Sequence, residues 1–200
     1  MTLKSLTDEK YLHPEEADRL AQFLAGEFYR GRAEGVRVPT RNGIAFRTAL
    51  SLGLRASEIV NLKHEHLHLG QHPKVRVVNS KRGKSRTLML AKKMVQPLKE
   101  WISFSEDWTK CWLFPNRTGE QWARNSAWQS WSQCLKMAGI RHVPLHGARH
   151  TAALRMYRQS KDLRSVQKVL GHSNIQTTTI YADVLEEDIR AMMDEIEWSF

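Results

Sequence analysis

Apolar residues near the start of the chain recur at helical spacing. Ala17, Leu20, Ala21 and Leu24 fall three, one and three positions apart, the stripe of an amphipathic helix with one face on a core. His13-Pro14-Glu15-Glu16 supplies its beginning. Proline suits the first helical position, where no intrahelical N–H bond is lost, and carboxylates suit the positive end of the helix dipole. Residues 31–39 read as a loop, followed by a second helix from about Thr40 to Leu52 that stops at Gly53. Ser57 is placed to cap a third, short helix through Leu62. The period then changes to two. Val75-Arg76-Val77-Val78 and Thr87-Leu88-Met89-Leu90 are strand-like, joined by a polar, glycine-bearing turn at 79–86, and His66-Leu67-His68-Leu69 fits a third short strand. From Lys92 onward helical patterns dominate, punctuated by Gly119, Gly139 and Gly171. The pattern predicts an α+β, mainly α, protein with one small three-stranded antiparallel sheet near its middle.

Composition narrows the class. A chain of 200 residues with 41% hydrophobic and 26% charged side chains is globular, and it buries enough surface to fold without a disulfide or metal staple. It holds no low-complexity tract and no internal repeat. No uncharged apolar stretch approaches the ~20 residues of a membrane span, and Met-Thr-Leu-Lys-Ser-Leu-Thr-Asp carries no signal-peptide core. Cys111 and Cys134 show no CxxC spacing, which suits a reducing, cytoplasmic location. The charge is more telling. Lys plus Arg number 31 against 21 Asp plus Glu, for a net charge of +10. Seven of those acids crowd into 183–200 beside Arg190, so residues 1–182 carry 30 bases and 14 acids. So basic a body attracts polyanions, nucleic acid first among them.

Four places concentrate reactive side chains. Gly53-Leu54-Arg55-Ala56-Ser57-Glu58 puts an arginine between two helices, and the 79–86 turn carries Lys81 and Lys84. Leu145-His146-Gly147-Ala148-Arg149-His150 sets His146 and Arg149 three apart on one helical face. Leu170-Gly171-His172 is followed by Tyr181 in Thr177-Thr178-Thr179-Ile180-Tyr181. Taken singly, each has an ordinary structural reading: a half-buried tyrosine, an ion pair between Arg55 and Glu58, a packed histidine, a solvated lysine.

Taken together, in this order and at these intervals, they resemble the tyrosine recombinase family of phage integrases and Xer-type resolvases, from about Tyr11 to the C-terminus. The resemblance implies a tyrosine recombinase catalytic domain over residues 1–200, with 1–10 a flexible N-terminus and no separate N-terminal core-binding domain. Compact relatives such as fimbrial invertases also lack one. It implies Tyr181 as a nucleophile that attacks a DNA phosphodiester, forms a 3′-phosphotyrosyl link and releases a 5′-hydroxyl. Arg55 and Arg149 would brace the non-bridging oxygens, a task suited to a permanently charged planar fork. Lys81, with Lys84 as the alternative, would protonate the leaving oxygen. His146 would assist proton transfer and His172 would hydrogen-bond the phosphate. No metal, cofactor or ATP is implied. The implied partner is duplex DNA, with a homotetramer on synapsed DNA, a monomer or weak oligomer when free, and an accessory DNA-binding factor. Rival readings are a type IB topoisomerase, a catalytically impaired DNA-binding regulator and a generic RNA-binding protein.

Three further patterns invite interpretation. His64, His66 and His68 alternate as on one strand face, with His72 nearby; Zn²⁺ could bridge such a face, but no ligand pair completes the site, so a solvated polar face is expected. Trp128 and Trp131 read as core anchors. Leu185, Ile189, Met192, Met193 and Ile196 form an apolar stripe on an acidic C-terminal helix over 183–200, folded onto its own domain or exchanged with a neighbouring protomer.

Overall fold

The computed structural model describes residues 8–78, 85–107 and 110–171. Helix α1 spans Pro14–Ala33. Pro14 sits where its missing N–H costs nothing, and the His13 N–H donates to Glu16 Oε2 at 2.8 Å, closing the first turn. Ala17, Leu20, Leu24 and Phe28 form its buried stripe. Helix α2, Arg37–Leu52, packs along α1, and a Cβ on Gly43 would stand 2.5 Å from the Leu24 carbonyl oxygen. Glycine at 43 therefore sets how closely the two helices approach.

The expected loop over 31–39 shrinks to three residues, 34–36. Gly31 stays helical because it is a contact rather than a stop: a Cβ there would lie 2.6 Å from Thr40 Oγ1. Pro39 falls in the first turn of α2, where an N–H has no helical partner. Gly53 ends α2 in the left-handed region at φ 64°, as anticipated. Helix α3, Ala56–Val60, starts two residues earlier than Ser57 capping predicts: Arg55 holds the N-cap and Glu58 satisfies its backbone. Ser57 lies inside the first turn.

The sheet has strand order β1 (Leu67–His68), β2 (Lys74–Val78), β3 (Ser85–Met89), all antiparallel. Val75 opposes Leu88 and Val77 opposes Arg86. Val75, Val77 and Leu88 are buried while Lys74 and Arg76 face out, the two-residue period predicted for the hairpin. Helix α4 spans Lys92–Ser105, α5 Arg124–Met137, α6 Leu145–Ser160 and α7 Leu163–Leu170. The stretch between α4 and α5 is not helical. It forms bridges from Lys63 to Trp112 and from Pro115 to Gln121. Gly119 in that stretch, and Gly139 and Gly171 beyond α5 and α7, all take positive φ.

One core joins α1–α5, the inner face of the sheet and the start of α6; a second, smaller cluster holds Tyr11, Ala153, Leu154, Val166 and Leu170. Trp131 anchors the first core, fully buried with its Nε1–H donating to the Val143 carbonyl at 2.7 Å. Trp128 does not. It is 45% exposed and rests edge-on against His142 at 5.9 Å. Three residues along a helix is a 300° turn, and that offset carries Trp128 to the rim of the buried stripe. No helix among the described residues is long and apolar enough to cross a membrane. Cys111 is exposed and Cys134 buried, both free.

Candidate active site

The left-handed Gly53 turn aims Arg55. A Cβ at 53 would meet Leu170 Cδ2 at 2.6 Å, so glycine both adopts the φ and admits α7. Arg55 then caps α3 with extended backbone. Glu58, one turn on, folds its carboxylate back: Oε2 accepts the Arg55 backbone N–H at 2.9 Å, and Oε1 accepts Arg55 Nη1 at 3.0 Å. The Arg-x-x-Glu spacing is thus a capping arrangement that fixes a guanidinium beside a carboxylate.

Glu58 is a hub. Only 3% of its side chain is exposed. From β3, Arg86 pairs with it end-on, Nη1 to Oε1 at 2.6 Å and Nη2 to Oε2 at 3.0 Å. From α6, Arg149 Nη1 lies 3.9 Å from Oε2. Burial pushes the Glu58 pKa up, but the hydrogen bond from Arg86, the bond from the Arg55 backbone and the charges of Arg86 and Arg149 together hold it below the ordinary glutamate value. One carboxylate therefore faces three guanidiniums, leaving a local excess of positive charge.

Arg149 is fully buried. Its Nη1 donates to the Gly53 carbonyl at 2.7 Å and its Nη2 to the Leu170 carbonyl at 2.6 Å. These oxygens belong to the C-terminal ends of α2 and α7, which carry carbonyls without helical partners and partial negative charge. Arg55, with a third of its side chain exposed, is the more open of the pair. His146 stands one turn before Arg149, exposed, with its ring edge-on to His150 at 4.8 Å. Desolvation on its inner side, then the charges of Arg149 and Arg55, lower its pKa against the opposing pull of Glu58. These effects favour the neutral form of its imidazole.

Three of the predicted site residues, Arg55, His146 and Arg149, thus converge from different elements. Lys81, Lys84, His172 and Tyr181 lie outside the described residues, as does the C-terminal segment 183–200. Positions close to them in sequence are held at this cluster: Arg86 is the second residue of the return strand of the hairpin, and a Cβ on Gly171 would touch Arg86 Cδ at 2.9 Å. The sequence pattern places Arg86 in a turn and gives Glu58 no role beyond a pair with Arg55. A signal existed for Arg86. In Ser85-Arg86-Thr87-Leu88-Met89 it shares the inward phase with Leu88, and a charge in that phase needs a buried partner.

The histidine series does not form a strand face. His64–His66 is a short 3-10 turn, His66 is buried with Nδ1 accepting the Lys63 N–H at 3.1 Å, and His64 is half-buried. The turn breaks the two-residue alternation: His66 goes inside, while His68 and His72 stay exposed as expected. Among the described residues no group of three or more His, Cys, Asp or Glu side chains is placed to hold a metal ion. Burial pushes the Cys134 thiol up to about 12, which removes it as a nucleophile.

Comparison with known proteins gives a consistent result. The model of the Phage integrase family matches residues 10–188. The tyrosine recombinase XerC of Azotobacter vinelandii is 31% identical over 186 residues, covering 90% of this chain and 58% of the relative. The tyrosine recombinase XerA of Thermococcus onnurineus is 28% identical over 191 residues, covering 94% and 67%. Among solved structures, that of XerA recombinase superimposes with a TM-score of 0.76 at 25% identity, over 94% of this chain and 66% of that one. A XerH site-specific recombinase bound to its difH substrate before cleavage gives 0.75 at 25% identity, over 94% and 55%. The chain spans about three fifths of the length of the XerC relatives it matches.

Proposed function

The chain belongs to the phage integrase family, and from that premise we propose that it is the strand-transfer unit of a site-specific DNA recombinase acting on duplex DNA. The observation that carries this reading is the cluster itself: two guanidiniums and an imidazole, from two elements far apart in sequence, beside one buried carboxylate. Such an excess of positive charge suits a phosphoryl transition state, whose non-bridging oxygens gain negative charge.

Tyr181 attacks the phosphorus of a backbone phosphodiester. Its phenolic oxygen bonds to phosphorus as the bond to the 5′-oxygen breaks. A phenol with a pKa of about 10 must lose its proton on the way, and neutral His146 accepts it. The departing 5′-oxygen takes a proton from Lys81, or from Lys84 in the same turn. Arg55 reaches the phosphate directly, Arg149 supports it with charge from the floor of the site, and His172 hydrogen-bonds a phosphate oxygen. The phosphotyrosyl ester keeps one phosphoryl bond for the one it broke, so attack by another 5′-hydroxyl reseals DNA without ATP or a metal. Strand exchange on synapsed DNA calls for four copies, with 183–200 of one chain resting on the next, and an accessory DNA-binding factor could add site contacts.

The test is covalent trapping. A nicked duplex that carries the chain's own recombination site and loses its 5′-terminal fragment on cleavage should accumulate a protein–DNA adduct with the wild-type chain. Tyr181→Phe should yield none while binding the same duplex within about twofold. An adduct that survives Tyr181→Phe removes the nucleophile assignment; binding without any adduct in the wild type makes the protein a DNA-binding regulator instead.

A further inference from the structure

The pairing of Glu58 with Arg86 has no part in the mechanism above, yet it is a bidentate ion pair on a buried carboxylate. Arg86 uses all three guanidinium nitrogens: two on the Glu58 carboxylate, and Nε donating to the Val169 carbonyl at 3.1 Å. Its side chain is 17% exposed, and it runs through a slot that Gly171 leaves open. Arg55, by contrast, shares only one guanidinium nitrogen with Glu58, at 3.0 Å.

The geometry points to Arg86 as a positioning residue of the phosphate site: it holds the Glu58 carboxylate end-on through both terminal nitrogens, so that Glu58 does not cancel the charge of Arg55 and Arg149. This inference rests on the reading that Arg55 and Arg149 receive a phosphate. A single carboxylate beside only two guanidiniums would sit between them and neutralise one. With Arg86 in place, the carboxylate is matched by a cation that faces Val169 and the α7 turn, and a net positive charge of two is left for an incoming anion. The bidentate fork is the arrangement that a carboxylate prefers over a single-nitrogen contact. Arg86 therefore acts through Glu58, with no contact of its own to the phosphate.

Titration of the full chain with inorganic phosphate, followed by the Arg55 Nε–H signal in ¹⁵N spectra at fixed ionic strength, tests this without any DNA site. In the wild type phosphate should shift that signal. Arg86→Gln should weaken phosphate binding about tenfold, the order expected when one nearby charge is no longer offset. Arg86→Lys, which keeps the cation, should recover most of the loss. The decisive variant is Arg86→Gln with Glu58→Gln: removal of both charges should return the affinity to within about twofold of wild type, although two contacts are gone. A merely structural Arg86, or one that itself binds the phosphate, predicts that the double variant stays as weak as the single one, and that result overturns the proposal. Should Arg86→Gln alone fail to fold, comparison of the double variant with the wild type still decides. If phosphate leaves the wild-type Arg55 signal unmoved, the two-arginine reading fails first and takes this inference with it. Unchanged affinity in Arg86→Gln, with normal binding by the wild type, sinks the inference alone.

Discussion

Glu58 shows how a buried charge is tolerated. Desolvation of an ion costs several kcal/mol unless donors and counter-charges meet it, and here three arginines do. Because its folded pKa is depressed, the stability it contributes is present above the ordinary carboxylate pKa and is lost as pH falls through the folded value. Urea unfolding of the wild type should therefore lose stability on acidification below about pH 4.5, whereas Glu58→Gln should change much less over that interval. At pH 7 the same substitution should cost about 3 kcal/mol, because it leaves the buried arginines without their counter-charge. A pH dependence in Glu58→Gln as steep as in the wild type would place the acid-sensitive group elsewhere. At this scale Arg55, His146 and Arg149 were legible in sequence because each stands in a short motif. Arg86 was not, since a strand residue shows its partner only when the facing element is known.

Among the elements, helix ends do the work of bringing the site together. The carbonyls at the ends of α2 and α7 both accept from Arg149, and Arg86 takes the Val169 carbonyl beside them. Gly53 lets those ends meet. Gly53→Ala should cost about 2 kcal/mol more than Gly139→Ala, a matched helix-end glycine with the same φ of 64° and nothing within 4 Å of its Cβ direction. For a chain of this size the excess should lower Tm by about 4–8 °C, read by calorimetry of the two variants. Equal melting would mean that only backbone strain matters there. Helix α1, the hairpin and the Gly53 stop could be read from pattern alone. The start of α2 and the end of α1 could not, because Gly31 and Pro39, two common breakers, serve as a contact and a first-turn residue. Trp128 and His66 misled for a related reason: period alone does not say where the rim of a buried stripe falls.

Across the whole molecule the decisive property is charge. Residues 1–182 carry sixteen more bases than acids, and phosphate contacts made by such a surface release counterions from DNA. Affinity for a random-sequence duplex should fall steeply with salt, by about 10³-fold or more between 50 and 200 mM if six or more phosphates are engaged. Fluorescence anisotropy over that range measures the slope, and a flat response would show that the basic surface is not the DNA-binding face. The four segments that build the cluster start at residues 53, 86, 146 and 169, so no local signal joins them.

The sequence by itself determined the mainly helical class with its small sheet, the basic character and the motif order, because amphipathic period, composition and short spacings are local properties. Only the tertiary structure decided that one buried carboxylate organises three arginines, that Arg86 is one of them, and which glycines are contacts rather than stops. Those outcomes depend on distances between segments far apart in the chain, and such distances are set by packing rather than by any neighbouring residue.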